Sequence, residues 1–124
     1  MKEGELGKVY QDGELVVRQG EVGNCMYVIQ AGEVEIFREE DGRDIRLRVA
    51  GPNEFFGEMA LVENDVRSAS VRSLGESRIL HVDKRTFMRR VHEDPSLAYR
   101  IMESLSHEIR RLAAELGELK AESS

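Results

Sequence analysis

The glycines of this chain are distributed unevenly, and their distribution divides the sequence into two parts. Nine of the eleven glycines lie between Gly7 and Gly75, and only Gly117 lies beyond residue 82. Frequent glycine between short apolar runs is typical of turns that connect strands. The first part of the chain is therefore predicted to form a small β sandwich or barrel.

The apolar runs of this first part have the pattern of strands. In the run at residues 33–38, Val34 and Ile36 alternate with polar residues, so the run is predicted to be a strand with both residues facing the core. Asp41-Gly42 precedes a second alternating run at residues 44–49 and is the signal of a tight hairpin. Further runs predict strands at residues 14–18, 25–30, 68–74 and 77–82.

The hydrophobic period changes from that of strands to that of helices at Asp83. Asp83 is predicted to cap a short helix, and Asp94 with Pro95 is predicted to begin a second one. The second helix ends in an a/d seam of four apolar residues, Ile109, Leu112, Leu116 and Leu119. This seam is covered either by the chain's own barrel or by a partner chain, because exposed leucines would leave an apolar stripe.

Composition excludes several classes of protein. A net charge of -6 removes the electrostatic reason to propose direct binding of nucleic acid. The single cysteine, Cys25, excludes an internal disulfide and fits a reducing compartment. The three histidines, His81, His92 and His107, are too widely spaced to predict a metal site. Without an apolar run of about 18 residues or a visible secretory signal, we expect a cytoplasmic protein that does not enter membranes.

The segment from Phe55 to Ser70 carries the chemistry. Gly57 allows a ligand to approach the backbone, where free N–H groups attract anions. Arg67 offers a planar fork that suits a phosphate, and Glu58 offers an acceptor that suits a sugar hydroxyl. These groups describe a sugar-phosphate pocket without a base or nucleophile. They equally describe a plain turn with a surface ion pair between Glu58 and Arg67, so spacing alone leaves both interpretations open.

Two stretches, Phe56-Gly57-Glu58-Met59-Ala60-Leu61 and Arg67-Ser68-Ala69, resemble the phosphate-binding cassette of the cyclic nucleotide-binding domain family. That family includes bacterial catabolite activators and regulatory subunits of cAMP-dependent protein kinase, and the resemblance extends over about residues 9–115. The resemblance implies a mainly β fold in which about residues 8–82 form an eight-stranded jelly-roll barrel. The phosphate-binding cassette occupies residues 55–70 of this barrel. C-terminal helices at 83–120 complete a single domain spanning 1–124.

The resemblance also implies a ligand, cAMP or cGMP, that is bound without hydrolysis. The chain is accordingly expected to be no enzyme and to need no cofactor or metal. In this comparison Glu58 accepts from the ribose 2′-hydroxyl, and Arg67 pairs with the cyclic phosphate. The ligand-binding residues implied are Gly57, Glu58, Met59, Ala60, Arg67, Ser68 and Ala69.

The chain departs from the family pattern at several positions. Asn53 stands where glycine is frequent, and asparagine is expected to tolerate the left-handed turn. Leu112 falls where the catabolite activator presents a hydroxyl to the base, so an apolar lid would hold a purine without reading its edge. Arg110 or Arg111 would then stack on the base or donate a hydrogen bond to it. The choice between adenine and guanine stays open.

Together these features favour a non-catalytic sensor, with cAMP as its ligand, that couples binding to the position of the C-terminal helix. The expected partners are the nucleotide, a second copy of the chain through the helix seam, and an effector protein. The alternative is a barrel retained as a structural or protein-interaction module without nucleotide binding. Apolar Leu112 at a lid position is the feature that supports this alternative.

Overall fold

The computed structural model describes residues 6–58 and 66–122. Strands come first in these residues and helices follow, so the prediction of a mainly β fold with C-terminal helices is confirmed. The elements are β1 (Lys8–Tyr10), β2 (Leu15–Val17), β3 (Cys25–Glu40), β4 (Arg43–Ala50), β5 (Phe55–Phe56), β6 (Ser70–Asp83), α1 (Lys84–Glu93) and α2 (Ser96–Glu122).

The six described strands form one antiparallel sheet. Its main path runs β1-β6-β3-β4, while β2 pairs with β6 and β5 pairs with β3. The two long strands, β3 and β6, thus hold every other strand in place. The chain divides after Phe87 into two compact units, one containing the sheet and one containing most of the helical residues. Eight strands and barrel closure remain predictions.

Two continuous strands replace four of the predicted runs. β3 covers the runs at 25–30 and 33–38, and β6 covers most of those at 68–74 and 77–82. Gly32 and Gly75 have φ values of 81° and 71°, and the β3–β6 register shifts between Ala31 and Glu33. These glycines therefore mark irregularities within paired strands. The prediction that they separate strands was wrong, as was a strand start at residue 68, because β6 begins at Ser70.

Both left-handed turns expected from the sequence are present. Asp41 and Gly42 have φ values of 52° and 75° and connect β3 to β4, so the predicted tight hairpin is confirmed. Asn53 has a φ of 71°, in the conformation that asparagine tolerates better than most residues. This turn leads into β5 and thus into the segment that carries Gly57.

The predicted helix starts are also confirmed. The Asp83 carboxylate accepts a hydrogen bond of 2.7 Å from the Thr86 N–H, as a residue that caps α1 should. Asp94 accepts one of 3.1 Å from the Ser96 N–H at the beginning of α2. The hydrogen bonds from Ser96 and the charge of Arg100 lower the pKa of Asp94, so this cap is ionised at neutral pH.

The core follows the alternation of the two long strands. Val34 is fully buried and Ile36 packs against the same cluster, so both face the core as predicted. A smaller cluster surrounds Met26 and Val82. The main cluster consists of Tyr10, Val17, Tyr27, Ile29, Val34, Ala50, Phe56, Val71 and Ile79. Since Tyr27 and Phe56 belong to it, the core continues directly beneath the start of the cassette.

A buried carboxylate on β3 is ion-paired with two arginines. Glu35 accepts hydrogen bonds from Arg72 Nε at 2.6 Å and from Arg46 Nε. Arg72 also donates to Asp44 at 3.0 Å, and its guanidinium lies 4.2 Å above the Phe37 ring. Desolvation acts to raise the pKa of Glu35, but the two arginines outweigh it and the pKa is lowered. The hydrophobic patterning of the sequence did not indicate this network, in which Arg46 itself is exposed.

Candidate ligand site

The backbone of Arg67 is tied to the segment that follows β2. The Arg67 N–H donates to the Glu21 carbonyl at 2.7 Å, and the Arg67 carbonyl accepts from the Gly20 N–H at 2.9 Å. A single bridge between Val22 and Val66 extends this pairing. Arg67 therefore lies in a fixed loop three residues before β6.

The Arg67 side chain turns inward and is 9% exposed. Its Nη2 donates to the Cys25 carbonyl at 2.7 Å, and its Nη1 donates to the Gly57 carbonyl at 3.2 Å. The guanidinium carbon lies 5.4 Å from the centre of the Tyr27 ring. One cation thus connects the first residue of β3 to the first part of the cassette, ten residues before Arg67 itself.

Gly57 must be glycine for two reasons. Its φ of 78° lies in the left-handed region, which L side chains rarely adopt. A Cβ atom at this position would also lie 2.6 Å from Arg67 Nη1. The sequence predicted a close approach to Gly57, and in the structure the approaching group is the Arg67 guanidinium.

The structure brings some predicted ligand-binding residues together and leaves others apart or undescribed. Glu58 is partly buried and directly follows Gly57, so it lies next to the carbonyl that accepts from Arg67. Ser68 is exposed and Ala69 is partly buried, immediately after Arg67. Two of the predicted residues, Met59 and Ala60, lie outside the described residues.

The predicted lid residues belong to the helical unit. Arg110, Arg111 and Leu112 are all exposed on α2. Arg111 lies in surface ion pairs with Glu108 at 3.6 Å and Glu115 at 3.4 Å. Pairs of this kind stabilise a helix by only a few tenths of a kcal/mol, about 0.3–0.5 each, so they leave the arginine free to take another partner. A role for these three residues as a lid stays a prediction.

Tyr27 is a core residue that also borders the site, which the sequence analysis did not identify. Its ring stacks on Phe56 with centroids 5.0 Å apart and meets His81 edge-on at 4.6 Å. Burial raises the pKa of the Tyr27 phenol, with the Cys25 thiol adding to the rise and the Arg67 charge opposing it. The phenol is therefore neutral at physiological pH and does not cancel the charge of Arg67.

His81 supports Tyr27 from β6. Its Nε2 is hydrogen-bonded to the Tyr10 hydroxyl at 2.8 Å. Burial, followed by the positive charge of Lys8, lowers the pKa of His81. The imidazole is therefore neutral at pH 7 and adds no positive charge beneath the site. Although the residue as a whole is exposed, its ring contacts the rings of both Tyr10 and Tyr27.

The arrangement can hold an anion. Among the described residues, the hydrogen bonds of the Arg67 guanidinium go to neutral carbonyl oxygens of Cys25 and Gly57. A buried cation whose described acceptors are neutral carbonyls attracts a negatively charged ligand, and its planar fork suits the two oxygens of a phosphate. Within residues 6–58 and 66–122, no group of three or more His, Cys, Asp or Glu side chains is placed to hold a metal ion.

Comparison with known proteins identifies the family. The profile of the cyclic nucleotide-binding domain matches residues 7–94. The matched region includes both parts of the predicted cassette, Gly57–Glu58 and Arg67–Ala69. The chain therefore belongs to the cyclic nucleotide-binding domain family, as its resemblance to the cassette predicted.

Several curated relatives and solved structures show the same likeness. The chain is 41% identical over 91 residues to a cGMP-dependent protein kinase of Plasmodium berghei, covering 73% of this chain and 10% of the kinase. It is 28% identical over 116 residues to the cyclic AMP receptor protein of Thermus thermophilus, covering 93% of this chain and 54% of that protein. The crystal structure of Thermus thermophilus catabolite activator protein superimposes with a TM-score of 0.82 at 28% identity, covering 91% of this chain and 54% of that one.

The chain spans between about a tenth and about half the length of these relatives. The kinase and receptor-protein names therefore describe proteins with large parts that lie outside the matched region. What this chain shares with them is the cyclic nucleotide-binding domain. No helix within the described part of the chain is both long and apolar enough to cross a membrane.

Proposed function

We propose that this chain is a non-catalytic sensor module that binds a cyclic nucleotide, with cAMP as its ligand. The observation that carries the proposal is the buried Arg67 guanidinium, held beside Gly57 by neutral carbonyls. In the proposed complex Arg67 donates to the cyclic phosphate, and Glu58 accepts from the ribose 2′-hydroxyl. Gly57, Met59, Ala60, Ser68 and Ala69 complete the cradle around them.

Three further observations support a binding role without catalysis. The described contacts of the Arg67 guanidinium are two backbone carbonyls and the ring of Tyr27, whose neutral phenol is not a base for attack on a phosphate. The family profile covers the cassette. Relatives named for cAMP include the receptor protein of Thermus thermophilus and kinase regulatory subunits, while a cGMP-dependent kinase is also among them. Because Leu112 has no hydrogen-bonding group, we infer that the base is held by contact and stacking.

Binding is tested by calorimetry and thermal unfolding with cAMP, cGMP and non-cyclic AMP. A ligand that binds only the folded state, at a hundred times its Kd, raises the free energy of unfolding by about 2.7 kcal/mol. We expect this stabilisation with cAMP, a smaller one with cGMP, and little with AMP, whose open phosphate does not match the cyclic ester. No heat with either cyclic nucleotide at millimolar concentration would favour the structural or protein-interaction module instead.

We further propose that the ligand acts by shifting a population. A ligand changes a conformational equilibrium only to the extent that it binds one arrangement better than the other. The segment from residue 83 to residue 120 is the proposed responding part, with Arg110, Arg111 and Leu112 contacting the base in one arrangement. Cys25 is the chain's single cysteine and fits a reducing compartment, so we propose a cytoplasmic location.

The proposed route of output is a homodimer through α2. Ile109, Leu112, Leu116 and Leu119 are all at least half exposed. Their spacing of three, four and three residues forms a stripe along one side of the helix. Such a stripe is stabilised when a second copy covers it, because burial of each leucine contributes about 1.5–3 kcal/mol. An effector protein with a similar apolar helix is the other proposed partner.

We predict that the pair of substitutions Leu116→Glu and Leu119→Glu prevents self-association. Four buried leucines per dimer would become carboxylates, so the dissociation constant should rise by at least about a hundredfold. Sedimentation equilibrium measures this change. Ala114→Glu, an exposed position two residues from Leu112, is the control and should leave the dimer intact. A parent chain that is monomeric at all concentrations would contradict the prediction.

A further inference from the structure

The guanidinium of Arg67 lies in a narrow slot whose second wall is a glycine outside the cassette. A Cβ atom built on Gly23 would lie 2.1 Å from Arg67 Nε, 2.2 Å from its Cζ and 2.5 Å from its Nη2. On the other side, a Cβ atom on Gly57 would lie 2.6 Å from Nη1. The two glycines therefore border the same planar group, and there is no room for a side chain at either.

Three further contacts hold the guanidinium in position beside these glycines. The Cys25 carbonyl, two residues after Gly23, accepts from Nη2 at 2.7 Å. The Gly57 carbonyl accepts from Nη1 at 3.2 Å, and the Tyr27 ring lies beneath the cation at 5.4 Å. Any displacement of the guanidinium away from Gly23 lengthens at least one of these contacts.

Gly23 differs from four other glycines in why it must be small. Gly13, Gly20, Gly42 and Gly75 have positive φ values and open space around them, so their need for glycine is conformational. Gly23 has no such backbone requirement, since its φ does not lie in the left-handed region. The three atoms nearest to a Cβ at Gly23 all belong to the end of the Arg67 side chain, which is more flexible than a backbone.

We propose that Gly23 is a positioning residue for the ligand phosphate, acting through Arg67. This inference rests on the proposed function and extends it to a residue before β3. A side chain at position 23 would leave the fold intact but shift the fork that binds the phosphate. A displacement of about 1 Å in a charged group that positions a ligand is sufficient to reduce the contribution of that group by up to about a hundredfold.

The test compares Gly23→Ala and Gly23→Val with the matched controls Gly51→Ala and Gly51→Val. A Cβ on Gly51 meets nothing within 4 Å, and its φ is ordinary, so these controls change size alone. The affinity for cAMP, measured by calorimetry on the full chain, should fall with side-chain size at position 23, by at least about tenfold for valine. At position 51 it should stay within about twofold. Unchanged affinity in Gly23→Val would overturn the proposal.

Two further measurements separate this mechanism from a general loss of structure. In an Arg67→Ala background, Gly23→Val should cause no further loss of affinity or of thermal stability, because the group it meets is absent. Equal losses in both backgrounds would show that position 23 acts on the backbone and not through Arg67. The Arg67 Nε–H resonance, assigned from Arg67→Lys, should move in Gly23→Val and not in Gly51→Val.

A parent chain that fails to bind cAMP would refute the proposed function, but the contact between position 23 and Arg67 could still be tested without a ligand. In that case Gly23→Val must lower the unfolding midpoint of the parent, displace the Arg67 Nε–H resonance, and leave the midpoint of Arg67→Ala unchanged. Failure of these three results would refute the role of Gly23 independently of the ligand.

Discussion

Replacing Arg67 with alanine should cost at least about 2 kcal/mol of cAMP affinity, or about thirtyfold in Kd. The guanidinium is the buried cation of the site, and its bonds to a phosphate are charge-assisted. Arg67→Lys should also weaken binding substantially, because lysine keeps the charge and loses the planar fork. Calorimetry with cAMP measures both variants, and circular dichroism confirms that they are folded.

The control for this prediction is Arg18→Ala. Arg18 carries the same charge but is largely exposed, in an i,i+3 ion pair with Glu21 at 3.9 Å. Its removal changes the net charge equally and should leave affinity within about twofold, since exposed pairs contribute about 0–1 kcal/mol. An affinity in Arg67→Ala equal to that of the parent would show that the phosphate binds elsewhere. A similar loss in Arg18→Ala would indicate long-range attraction in place of a direct bond.

The cassette could be identified from sequence because its function depends on particular side chains. Gly57, Glu58 and Arg67 are each recognisable by residue type and spacing, and the structure brings Gly57 and Arg67 into direct contact. The same holds for the turn at Asp41-Gly42 and the helix caps, since each depends on a local conformation that few residue types adopt. Features of this kind depend on a few residues that are close in sequence, so they can be predicted from those residues.

The groups that hold Arg67 could not be identified in the same way. The group of Cys25 that accepts a hydrogen bond from Arg67 is its backbone carbonyl. Every residue carries such a carbonyl, so no residue type indicates this acceptor in the sequence. Tyr27 and His81 meet only because β3 pairs with β6 over a long sequence distance. Gly23 resembles any other turn glycine until the position of Arg67 is known. Such contacts depend on register, which hydrophobic alternation restricts but does not specify.

The glycines also show where pattern reasoning fails. Gly32 and Gly75 follow apolar runs, as glycines in turns do, yet β3 and β6 continue through them. A Cβ on Gly32 would lie 2.4 Å from the Glu76 carbonyl oxygen on the neighbouring strand. Glycine is preferred both where two backbones approach each other closely and where the chain reverses its direction. Only the pairing of the strands distinguishes them.

Replacing Glu35 with glutamine should lower the free energy of unfolding by about 3 kcal/mol. The Glu35 carboxylate is buried and binds both Arg46 and Arg72, so its loss leaves two guanidinium groups facing a neutral amide. Glutamine keeps the volume, which confines the change to charge and hydrogen bonding. Urea unfolding at pH 7 measures the effect. Glu40→Gln is the matched control, because Glu40 is half exposed in its ion pair with Arg38 at 3.6 Å and should contribute about 0–1 kcal/mol.

The same carboxylate should make stability depend on acid pH in a defined direction. Desolvation opposes ionisation of Glu35, but Arg46 and Arg72 overcome it and lower its pKa in the folded state. A carboxylate whose pKa is lowered on folding stabilises the folded state fully at pH values above its pKa in the unfolded chain, about 4.3. This stabilisation is lost as the pH falls through its pKa in the folded state. The difference in unfolding free energy between the parent and Glu35→Gln should therefore be constant above about pH 5.5 and shrink towards zero in acid. The difference in unfolding free energy could instead persist undiminished at the lowest pH where both proteins fold. Glutamine would then destabilise the protein by misplaced hydrogen bonds. The charge of the carboxylate would not be what holds Arg46 and Arg72 to β3.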